Sequence, residues 1–155
     1  MEHKRQRAFT FIELILIVSM VGILLSIAVP RLKFDILGQY KADAVARKIV
    51  TDLRRTRSLA IFNAATNNQG FELQLLGSPV CTGYKIVNRS TSATVDNFTI
   101  DASIRVTSSS GSAVKFGPLG NVLSGSSSQL SVSGANRTFT ISIVSATGAV
   151  KCVKS

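Results

Sequence analysis

Residues 9–29 read FTFIELILIVSMVGILLSIAV, an almost unbroken apolar run that closes at Pro30. At about 1.5 Å per residue such a helix is roughly 32 Å long, the thickness of a bilayer core. The run has no 3.6-residue period, so the helix is apolar on every side and not amphipathic. Lys4, Arg5 and Arg7 precede it and place the N-terminus on the cytoplasmic side, with everything after the helix beyond the membrane. Two plainer readings stand beside this one: an ordinary signal anchor, and a secretory signal for which Ser26-Ile27-Ala28 imitates a cleavage site.

Glu13 does not suit a plain anchor. An acid within an apolar span costs up to about 3 kcal/mol at the helix centre, less near the end, and such residues usually have a partner. If the chain were cut before Phe9, the new α-amine would be a cation on the same helix face, four residues away. A neighbouring copy's amine could equally pair with Glu13 and fix the axial register of an assembly. The bland alternative is a carboxylate that reaches the headgroups and does nothing further.

Arg7-Ala8-Phe9-Thr10-Phe11-Ile12-Glu13-Leu14 resembles the processing site of type IV pilins and type II secretion pseudopilins. The resemblance implies removal of a basic leader by a prepilin peptidase between Ala8 and Phe9, and N-methylation of Phe9. It also implies an assembly role for Glu13 and for the helix-bending Pro30. The family usually has Gly where this chain has Ala8.

Formal net charge is +10. Loss of Lys4, Arg5, Arg7 and Glu2 with the leader takes away three cations and one acid and leaves +8. This balance suits anionic partners, although solubility and topology explain it as well. Cys81 and Cys152 both lie beyond the helix, in a compartment that permits disulfides. A Cys81–Cys152 bridge would close a loop of about 70 residues and contribute on the order of 4 kcal/mol; two buried free thiols are the alternative. His3, the single histidine, lies in the leader, so no zinc site or Cys–His nucleophile is expected. No GxSxG, Walker loop, HExxH or GxGxxG is present. The expectation is a non-enzyme without metal or cofactor.

Past Pro30, residues 39–63 place Ala42, Val45, Ala46, Ile49, Val50, Leu53, Ser58 and Ile61 at helical spacing, with charges mostly on the other faces. Residues 63–70, NAATNNQG, form a turn cluster. Short strands follow: 71–75, 84–87, 98–100, 104–106, 113–116, around Leu130 and Val132, 139–143 and 150–153. Loops surround Cys81 and fill 107–112, 117–121, 124–128 and 145–148. The expected fold is α+β: a long N-terminal helix, transmembrane in its first half, packed against a small antiparallel sheet domain. The chain divides into a leader (1–8), a transmembrane or filament-core helix (9–29), its amphipathic continuation (30–63) and a β-rich globular domain (64–155).

Three short segments carry a finer resemblance. Arg57-Ser58-Leu59-Ala60-Ile61, Phe116-Gly117-Pro118-Leu119-Gly120 and Thr147-Gly148 look like recurrent features of GspH/FimT-type minor pilins and pseudopilins. The function this implies is a structural subunit of a type IV pilus or a type II secretion pseudopilus. It would sit in the bacterial inner membrane with its C-terminal domain in the periplasm, then in the filament. Its partners would be the peptidase, other pilin subunits and the membrane. The alternative is a FimT-like minor pilin that binds DNA in natural transformation, with Arg105, Arg137, Lys151 and Lys154 as its contacts; the family's tail has arginines after the Gly, whereas Gly148 is followed by Ala149-Val150-Lys151. A third reading is an unprocessed anchored domain with no filament role.

Overall fold

The computed structural model describes residues 10–28, 35–77 and 79–154. They belong to two compact units that divide between Phe34 and Asp35.

The first unit is the helix α1, Phe11–Ala28. Thr10 starts it, its carbonyl accepting from the N–H groups of Glu13 and Leu14. Every large apolar side chain from Phe11 to Ile27 is exposed. Ser19 Oγ donates to the Ile15 carbonyl at 2.8 Å and Ser26 Oγ to the Gly22 carbonyl at 2.9 Å. Both hydroxyls are thus satisfied one turn back, as serines in an apolar setting usually are. Eighteen residues make about 27 Å of helix, short of a hydrocarbon core of about 30 Å. Among the described residues no helix is long and apolar enough to cross a membrane. The expected span over 9–29 is therefore not reached by the described helix; Phe9, Val29 and Pro30, which would extend and end it, lie outside the described residues, as does Ala8.

The second unit is a helix laid over two sheets. Helix α2 is Asp35–Phe62. Its buried stripe runs Ala42, Val45, Ala46, Ile49, Val50, Leu53, Thr56 and Ala60. The expected stripe ended instead on Ser58 and Ile61, which are exposed. At about 100° per residue Ser58 points some 140° away from Leu53, whereas Ala60 returns to within about 20° of it.

Eight strands follow: β1 Phe71–Leu76, β2 Gly83–Asn88, β3 Thr94–Thr99, β4 Arg105–Ser108, β5 Ala113–Phe116, β6 Gln129–Gly134, β7 Arg137–Ile143 and β8 Val150–Lys154. They form two antiparallel sheets, ordered β3-β2-β1-β5 and β4-β6-β7-β8. Each sheet is a three-stranded meander with one added strand. β4 crosses to the second sheet and β5 returns to the first, which ties the two together. The third strand falls at 94–99 and not at 98–100. Asp96 and Asn97 are poor strand formers, but β3 is an edge whose main chain pairs with β2. β4 likewise starts at Arg105 and runs into the serines that read as loop, pairing Thr107 with Ser131 and Ser108 with Leu130.

Alternate residues of both sheets face α2. Leu73, Tyr84, Val114 and Phe116 from the first sheet meet Val106, Leu130, Val132 and Ile141 from the second in one core with Ile49 and Leu53. One acid enters it. Asp52 is 4% exposed; it accepts from Lys48 Nζ at 2.7 Å and from Tyr84 Oη at 2.7 Å. Burial, and then this hydrogen bond, push the Tyr84 hydroxyl well above the ordinary tyrosine range.

Candidate functional site

Glu13 lies in the first turn of α1 and is exposed. The favourable interaction of an acid with the helix N-terminus applies to it. No described side chain bonds its carboxylate, whereas both serines of the helix are satisfied internally. Any partner for this acid comes from outside the described helix.

The three short segments of the finer resemblance meet at one place. Arg57, near the end of α2, donates from Nε to the Gly120 carbonyl at 3.1 Å. Gly120 closes the turn after β5, its N–H bonded to the Gly117 carbonyl, and Gly148 closes the turn before β8, its N–H bonded to the Val144 carbonyl. Both glycines have positive φ, +77° and +66°. A Cβ on Gly148 would lie 2.0 Å from the Gly120 carbonyl oxygen and 3.0 Å from Arg57 Nε; one on Gly120 would lie 2.7 Å from Ile61 Cδ1. The helix end, the β5–β6 turn and the β7–β8 turn are thus locked by backbone contact that only glycine permits. Each segment is weak alone in the sequence, and nothing in it says that the three touch.

The four candidate DNA contacts do not come together. In the second sheet, Lys154 stands opposite Phe139 and Lys151 opposite Ser142, while Arg105 stands opposite Ser133. Side chains alternate along a strand, so Arg137 and Lys154 share the α2 side with Phe139. Arg105 and Lys151 point to the other face, among Ser133, Thr140 and Ser142. Arg137 and Lys154 line a groove of about 500 Å³ with Asp43, Arg47, Phe139 and Cys152. Arg47 was not a sequence candidate; its Nε bonds both oxygens of Asp43 at 3.0 Å, one turn back on α2, and this raises the Arg47 pKa.

The cysteines are both free: Cys81 is buried and Cys152 exposed. The expected Cys81–Cys152 bridge is not formed, because the two stand in different surroundings. Cys81 packs in the core between β1 and β2, its N–H bonded to the Val106 carbonyl of β4. Cys152 lies mid-way along β8, opposite Ile141, in the basic groove. Burial raises the pKa of both thiols, helped at Cys152 by the Asp43 charge. Neither has the lowered pKa of a nucleophile. No cluster of metal-binding side chains occurs among the described residues.

Among solved structures, FimU, a type IV minor pilin of Pseudomonas aeruginosa, matches with a TM-score of 0.58 at 14% identity, over 72% of this chain and 91% of that one. The fold is that of a type IV minor pilin. No protein-family model and no curated protein matches the sequence. The pilin fold accounts for the arrangement of α2 over antiparallel sheets.

Proposed function

We propose that this chain is a minor pilin or pseudopilin, a structural subunit of a type IV pilus or type II secretion pseudopilus. The observation that carries the reading is the pairing of a pilin-fold domain with a helix that exposes apolar side chains all round. Such a helix is stable only in an apolar medium. The reading supplies two: the inner membrane before assembly, for which the apolar sequence continues to Phe9 and Val29, and neighbouring helices afterwards. Prepilin peptidase cuts between Ala8 and Phe9, Phe9 is N-methylated, and Glu13 takes a neighbour's N-terminal amine. The junction of Arg57, Gly120 and Gly148 supports the GspH/FimT type, since three segments that resemble that type also form one contact. The DNA-binding alternative calls on Arg105, Arg137, Lys151 and Lys154 together, and their division between two faces of a sheet favours the structural reading.

The test is the N-terminal mass of the protein from membranes of cells with and without prepilin peptidase. The expected result is a chain starting at methylated Phe9 only where the peptidase is present. An intact Met1, or a cut near Ala28, overturns the proposal. Glu13→Ala is expected to abolish incorporation into filaments while leaving the chain in the membrane.

A further inference from the structure

Among the described residues four strands form the sheet edges, and three of them are covered, partly occupied or irregular. The outer side of β5 is taken by residues 121–127: Lys115 bonds Leu123 and Ser126, and Ala113 bonds Ser127. On β4 the outward Val106 carbonyl is taken by the Cys81 N–H. β3 is irregular, its register against β2 shifting between Ile86 and Val87. Bulges and covering loops are the usual ways to block an edge.

β8 has neither. The Val144 N–H bonds the Ala149 carbonyl; in the antiparallel register of Ile143 with Val150, hydrogen-bonded pairs then fall at Lys151 and Val153. The main-chain groups of Val150, Cys152 and Lys154 therefore face outward. Among the described residues, only the Val150 carbonyl meets a partner, Arg54 Nη2 at 3.4 Å. Residues 151–154 are exposed. The charge around this edge is one-sided. Asp43, Asp52, Glu72, Asp96 and Asp101 each pair with a cation, while Arg54, Arg137, Lys151 and Lys154 have no acidic partner among the described residues.

We infer that β8 is the docking edge for an extended acidic segment of a partner protein, which adds as a fifth strand to the second sheet. Lysines on an edge repel a second copy of the same strand, but they attract an acidic one. Main-chain bonds to Cys152 and Lys154 supply the attachment, and alternate side chains of the incoming strand meet the groove lined by Arg137 and Lys154. This inference goes beyond the filament role and does not depend on the processing of the N-terminus.

The test uses the full chain in detergent micelles and a labelled octapeptide of alternating Asp and Val. The wild type is expected to bind it. Cys152→Pro removes one outward N–H without touching charge, at an edge position where proline is tolerated; it is expected to weaken binding at least tenfold. Lys154→Glu is expected to do the same, and it decides the matter if Cys152→Pro does not fold. An octapeptide N-methylated at alternate amides on its pairing side is expected not to bind. The inference is overturned by absence of binding at millimolar peptide, by equal affinity of both octapeptides, or by a DNA oligonucleotide that binds this edge in preference and displaces the peptide.

Discussion

Replacing Gly148 by alanine tests the junction of the three segments directly. The residue has φ +66°, and its new Cβ would stand 2.0 Å from the Gly120 carbonyl oxygen. A left-handed non-glycine residue costs about 1–2 kcal/mol. The clash is with backbone, so the Gly120 turn must move. That movement breaks the hydrogen bond from Arg57 Nε, a charged bond worth about 1.5–3 kcal/mol. The expected loss is on the order of 3–4 kcal/mol, a large share of the roughly 5–15 kcal/mol that holds an ordinary domain folded. Gly125→Ala is the control. It has a similar φ, +72°, but its Cβ would meet only Lys115 Nζ at 3.8 Å, the end of a flexible chain, so about 1–2 kcal/mol is expected. The gap of about 2 kcal/mol corresponds to roughly 1 M in urea midpoint at ordinary denaturant slopes. Urea unfolding of the full chain in micelles, followed by the near-ultraviolet dichroism of buried Tyr84, measures it. Equal midpoints for the two variants would refute the argument that close backbone approach, and not φ alone, fixes glycine at 148.

Asp52→Ala leaves the Lys48 ammonium and the buried Tyr84 hydroxyl without their partner and is expected to cost about 3 kcal/mol or more. Tyr84→Phe, which leaves the Asp52–Lys48 pair intact, is expected to cost nearer 1 kcal/mol; a reversed order in urea unfolding rejects this account. Arg55 holds the Asp96 carboxyl, and Lys41 the Asp101 carboxyl, below the ordinary 3.8. A depressed folded pKa contributes stability in full above the unfolded value and loses it as pH falls through the folded one. Asp96→Asn and Asp101→Asn are therefore expected to flatten the loss of stability below about pH 4, and an unchanged acid limb counts against both pairs. A maleimide reagent is expected to label Cys152 alone in the native chain and Cys81 only after unfolding, faster at higher pH because both thiols titrate above their usual value. A non-reduced mass two daltons lower, with no labelling, would instead mean that the bridge forms.

Much of the fold was legible where a local pattern carries its own register. The alternation in residues 71–75 and 139–143 marked β1 and β7, and the Gly-Pro and Thr-Gly turns marked the ends of β5 and β7. β3 and β4 were misplaced because edge strands are held by main-chain pairing with a neighbour, which asks little of the side chains. The tight β6–β7 hairpin was also hidden. Ala135 and Asn136 both adopt positive φ, 42° and 63°, between Gly134 and Arg137 paired in register. A two-residue turn of this kind normally announces itself by Asn-Gly or Asp-Gly; Ala-Asn does not.

The sequence by itself determined the apolar helix, its lone acid, the amphipathic stripe from Ala42 to Leu53 and the β-rich remainder. These depend on composition and on periods of 3.6 and 2, which are properties of neighbours along the chain. Only the tertiary structure decided which distant residues meet. It brought Arg57, Gly120 and Gly148 together, buried Asp52 against Tyr84, kept Cys81 and Cys152 apart, and divided four cations between two faces. The reason is that strand order and sheet exchange are set by how the two sheets and α2 close one core. That closure is a global packing choice, and no window of the sequence contains it.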